Sequence, residues 1–87
     1  MLTINEPATD TTALAWKLQG HGLAMWPSIA LANAIAEADT MTPAAVWAKF
    51  AQLCCTRYQR IDGAFGDLTL KQVRKLLEAL GLVAPRA

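Results

Sequence analysis

At 87 residues the chain is long enough for one hydrophobic core and too short for two, which leaves no room for a separate catalytic domain. Hydrophobic residues reach 54%, but alanine supplies about a fifth of the chain, so helix propensity dominates and nothing alternates like a half-buried strand. The net charge of +1 says little about partners until it is placed: residues 1–45 hold one base against four acids, and residues 46–87 hold seven bases against three. These features predict an all-α fold, a compact bundle of about four short helices with no sheet. It would consist of an arm over 1–9, one domain over 10–83 and a tail over 84–87.

Residues 1–9, MLTINEPAT, have no periodicity and contain Pro7, which fits an arm. A first helix is predicted over 10–19, starting at Asp10 or Thr11, with Leu14 and Leu18 on one face and Gly20 suited to its end. Residues 18–36 carry no formal charge, a length close to a membrane span. Gln19, His21, Ser28 and Asn33 are polar, however, and Gly20, Gly22 and Pro27 interrupt the run, so no membrane is expected.

A second helix is predicted over 27–38, with Pro27 in its first turn. Leu31, Ala34, Ile35 and Ala38 make its apolar stripe, and Asn33 and Glu37 lie opposite. Thr42 and Pro43 open a third helix over 43–60 as N-cap and first helical residue, with Met41 placed to staple onto Val46. Val46, Trp47, Phe50, Leu53, Cys54, Tyr58 and Ile61 form its apolar face, which assigns Trp47 to the core. The segment DGAFGD at 62–67 reads as a turn from which Phe65 plugs the core. Thr69 and Gln72 have capping-box spacing, flanked by Leu68 and Val73 as a staple. The fourth helix, over 70–80, packs Val73, Leu76, Leu77 and Leu80 inward, and Gly81 and Pro85 mark its stop.

The residues that could carry chemistry do not converge in the sequence. Adjacent Cys54 and Cys55 cannot easily pair with each other, and the N-terminus lacks the basic and apolar regions of an export signal, so a reducing cytoplasm is expected. His21 has no cysteine, acid or second histidine at a metal-ligand spacing. Nucleophilic catalysis by Ser28 or a cysteine would depend on that same histidine, with no recognised motif around either. The expectation is a protein that is not an enzyme and holds neither cofactor nor metal.

Two stretches resemble known families. Tyr58–Gly81 is similar to a degenerate EF-hand in the spacing of Gly66 and Leu68. In that register Ile61, Gly63 and Phe65 stand at ligand positions and Gln72 replaces the bidentate acid, so calcium binding is not implied. LTLKQVRKLLEALGLV, at 68–83, resembles the recognition helix of helix-turn-helix and winged-helix regulators, with no clear wing after it. That resemblance implies a DNA-facing surface of Thr69, Lys71, Gln72, Arg74 and Lys75.

The function expected first is binding of a macromolecular partner, a protein, as regulator, inhibitor or adaptor. Its candidate contact residues are Met25 and Trp26, in the charge-free start of the second helix; for Trp26 the sequence leaves core and contact surface both open. The alternative is a helix-turn-helix-like DNA-binding regulator using the helix at 70–80. Its candidate nucleic-acid contacts are Arg57, Arg60, Lys71, Arg74 and Lys75. A homo-oligomer is compatible with either reading.

Overall fold

Each helix is set by how its ends are closed. The computed structural model describes residues 11–57 and 68–84; the expectations for the 1–9 arm, Asp10, Tyr58, Arg60, Ile61, the turn with Phe65 and Pro85 lie outside them. The described residues form four helices: α1 (Thr11–Gly20), α2 (Met25–Glu37), α3 (Pro43–Thr56) and α4 (Leu70–Ala79). No strand occurs among the described residues, and the all-α fold is the one the composition predicts.

α1 and α4 end in the same way. In α1 the Gly22 N–H donates to the Gln19 carbonyl at 2.9 Å and the Leu23 N–H to the Leu18 carbonyl at 3.2 Å. In α4 the Gly81 N–H donates to Glu78 at 3.0 Å and the Leu82 N–H to Leu77 at 2.9 Å. Both are Schellman turns, which need a left-handed residue just past the helix, and Gly22 and Gly81 supply it with φ of 99° and 75°. Gly20, expected to end α1, is instead its last helical residue. The glycine that closes the helix is two positions later, because the turn needs its positive φ after the cap residue.

α2 begins two residues before the expected position, at Met25. Pro27 therefore stands third in the helix, where its missing N–H would have had no intrahelical partner. The Ser28 N–H closes the first turn onto the Ala24 carbonyl at 3.0 Å. Thr42 caps α3 as expected, accepting from the Ala45 N–H at 3.2 Å, with Pro43 following as the first helical residue. α3 ends at Thr56 with Arg57 as its C-cap, short of the expected Arg60. The Thr56 hydroxyl bonds back to the Gln52 carbonyl at 2.8 Å, one of the local bonds by which threonine competes with helix continuation. α4 has the full capping box: the Thr69 hydroxyl accepts from the Gln72 N–H, and the Gln72 side chain accepts from the Thr69 N–H at 2.9 Å.

The helices pack in chain order, α1 on α2, α2 on α3 and α3 on α4. α2 packs between α1 and α3, and its sequence explains why it fits there. Ala30, Ala32 and Ala34 are fully buried and let neighbouring helices approach closely, while Leu31 is fully buried among them. Burying such a leucine contributes roughly 1.5–3 kcal/mol. The other helices bring Leu18, Val46 and Phe50, and Val73 and Leu77, to the same core.

Trp47 does not join that core. The buried stripe of α3 is Val46, Phe50, Leu53 and Cys54, and Trp47 lies about 100° around the helix from Val46, leaving it 38% exposed. Its indole N–H donates to the Leu68 carbonyl at 3.2 Å, so the ring lies across the start of α4. A second long-range tie joins α2 to the end of α3. Arg57 donates from both terminal nitrogens to the Glu37 carboxylate, Nη1 to Oε2 at 2.6 Å and Nη2 to Oε1 at 3.3 Å.

Candidate functional site

Two surfaces collect the residues singled out by the sequence. The first is the outer face of the α1–α2 pair. On α1, Leu14, Ala15 and Leu18 turn inward, which sends Trp16 outward, 68% exposed. On α2 the deep side holds Leu31, Ala34 and Ile35, leaving Met25 and Trp26 at 54% and 57% exposure. The structure thereby places Trp26 at the surface. Between the helices lies a groove of about 310 Å³, lined by Trp16, Ala15 and Gln19 from α1 and by Met25, Ile29 and Asn33 from α2.

Met25, Ile29 and Asn33 recur every four residues and form one ridge along the groove. Trp26 stands about 100° around α2 from Met25, beside the groove rather than in it. The Asn33 amide is held by the Ile29 carbonyl at 2.9 Å. Trp16 is the member that sequence reasoning did not single out as a site. Its position off the Leu14–Leu18 stripe is the signal that could have found it.

The second surface is the outer face of α4. Lys71 and Lys75 are exposed and Arg74 is half-buried, at the i, i+4 and i+3 positions of one face. Arg57 belongs to the end of α3, and its guanidinium is engaged by Glu37 of α2. That pairing holds the Glu37 carboxyl below its ordinary range, first through the hydrogen bond from Arg57 and then through the nearby charges of Arg57 and Lys49. Arg60 lies outside the described residues. Of the five basic residues in the nucleic-acid reading, the structure groups Lys71, Arg74 and Lys75.

A shallower recess of about 250 Å³ is lined by His21, Leu23, Leu68, Gln72, Lys75 and Leu76, where the α1–α2 turn approaches the start of α4. His21 is exposed, whereas Cys54 is buried in the core and Cys55 exposed beside it. Among the described residues no three of His, Cys, Asp and Glu gather closely enough to hold a metal ion.

Ser28 is fully buried, and its hydroxyl bonds to the Ala24 carbonyl at 2.7 Å, with Leu23 at 3.3 Å. It is therefore occupied in closing the start of α2 and inaccessible to a substrate. No described helix is long and apolar enough to cross a membrane. Comparison of the chain with protein-family models, curated proteins and solved structures finds no match in any of the three.

Proposed function

We propose that this chain is a small binding module that acts by gripping a protein partner, as a regulator, inhibitor or adaptor, through the outer face of α1 and α2. The observation behind this reading is the grouping of Trp16, Met25 and Trp26, each more than half exposed, around one groove. Exposed tryptophans flanking a concave apolar surface are the kind of anchor that dominates binding energy at protein interfaces. Polar side chains also line the groove, among them Gln19 of α1 and Asn33 of α2, whose amide is bonded to the Ile29 carbonyl.

The test is capture of the native partner from the native host by the parent protein, followed by measurement of its affinity for single variants. Trp26→Ala should weaken binding by about 2 kcal/mol if the ring is a desolvated anchor. A folded Trp26→Ala variant with parental affinity would defeat the reading.

The second reading, a DNA-binding regulator, draws on the exposed basic face of α4. It rests on Lys71, Arg74 and Lys75, since Arg57 is committed to Glu37. The paired change Arg74→Gln and Lys75→Gln distinguishes the readings: it should leave protein capture largely intact. Duplex binding that it weakens and makes less salt-dependent would favour DNA instead.

A further inference from the structure

The recess between the α1–α2 turn and the start of α4 divides chemically in a way the α1–α2 groove does not. Its apolar lining is Leu23, Leu68 and Leu76, with Leu68 buried and the other two half-buried. Its polar lining is His21, Gln72 and Lys75, all exposed, and among the described residues no carboxylate joins them.

Each of these polar side chains has a hydrogen to donate. Lys75 carries an ammonium, and the His21 imidazole donates whether neutral or protonated. Among the described residues neither side chain makes a hydrogen bond or an ion pair. The Gln72 amide oxygen is taken by the Thr69 N–H at 2.9 Å, so the capping box fixes this side chain and leaves its nitrogen to donate.

Donors without an acceptor, set beside leucines, call for an anion with an apolar part. Lys75 is the one formally charged residue of the lining, and it matches a single negative charge. A phosphate would bring more charge than the recess neutralises and would set it against leucine, at a cost in desolvation. A carboxylate on a short apolar tail meets both parts of the lining. Volume limits that tail: about 250 Å³ falls below the range of roughly 300–1,000 Å³ that holds a drug-sized molecule.

We propose that this recess is a binding site for a small monocarboxylate with a short apolar tail, its carboxylate accepting from Lys75, His21 and Gln72 and its tail resting on Leu23, Leu68 and Leu76. The site is separate from the α1–α2 face, and neither reading depends on the other.

The experiment is a titration of the full chain with isocaproate, followed through the backbone amide resonances of Gly22, Leu23, Gln72 and Lys75. These shifts should saturate in the millimolar range, the affinity that a ligand of about eight heavy atoms supports. Isocaproamide keeps the tail without the charge, and acetate keeps the charge without the tail; each should bind at least about threefold more weakly. Lys75→Gln should weaken isocaproate binding by about threefold to fivefold, the worth of one exposed charge pair. Lys71→Gln, on the same helix but outside the recess, should leave it unchanged. N-acetyl-leucine presents the same chemistry as the end of a peptide: tighter binding than isocaproate assigns the ligand to a chain terminus, and weaker binding to a free acid.

Shifts that stay linear to about 50 mM isocaproate overturn the site. So does an amide that binds as tightly as the acid, or a Lys75→Gln variant that binds as the parent does. Both lysines are exposed, so these variants should keep the parental helical spectrum.

Discussion

Gly20 and Gly22 stand two positions apart, yet the structure uses them in opposite ways. Gly20 is helical, with open space where a Cβ would be, whereas Gly22 has φ of 99°. Gly20→Ala should therefore stabilise the protein by a few tenths to about 1 kcal/mol, since alanine fits and loses less entropy on folding. Gly22→Ala should destabilise it by about 1–2 kcal/mol through the left-handed backbone, although no neighbouring atom is in its way. Urea denaturation of both variants checks this, and midpoints moving in the same direction would contradict it. The sequence marks both glycines as helix stops and does not separate them, because the difference is the sign of one dihedral angle set by the Schellman hydrogen bonds. Where a side chain makes the cap, at Thr42 and Thr69, the local sequence is sufficient, and both caps lie where the spacing places them.

At the scale of elements, faces were more legible than ends. Of the expected stripes, Leu31, Ala34, Ile35, Val73 and Leu77 are buried, whereas Ala38, Leu76 and Leu80, nearer the helix ends, are half-buried against that core. The start of α2 was not legible, since proline in any of the first helical positions satisfies the same rule. The sequence places Trp47 on the apolar face of α3 and hence in the core, which is incorrect; the bond that holds its indole at the surface goes to Leu68, 21 positions away. The Glu37–Arg57 tie between α2 and α3 spans a similar distance and gives a pH signature. Glu37 has its folded-state pKa lowered, so its contribution is complete above the unfolded value, near 4.3, and is lost as pH falls through the lower folded value. Because the pair is exposed and screened, its worth is below about 1 kcal/mol. The stability difference between the parent and Glu37→Gln should thus be small and constant from pH 6 to 8, roughly, and vanish in acid below the carboxylate range. A difference that instead grew on acidification would mean that the ion pair does not stabilise the fold.

For the whole molecule, the groove required knowledge that no single helix contains. Periodicity places Trp16 off the stripe of one helix and Met25 on the open side of another, but only the packing of α1 on α2 sets them along one groove. Because α2 packs against both α1 and α3, the fold depends on its fully buried Leu31. Leu31→Ala should cost about 2–5 kcal/mol, a large part of the roughly 4–13 kcal/mol available to a chain of this size. Circular dichroism and tryptophan emission should then report one shared transition at a lower temperature; separate transitions would mean that the α1–α2 and α3–α4 pairs unfold independently. The order of packing also bears on how the molecule assembles. Each helix rests chiefly on the one before it, so most native contacts close over short stretches of chain, a topology associated with folding in microseconds to milliseconds. The bond from Trp47 to Leu68 is a longer closure, whose entropic cost falls on the docking of α4. The first three helices thus have a route to collapse as a hairpin stack, with the last arriving on a surface already built.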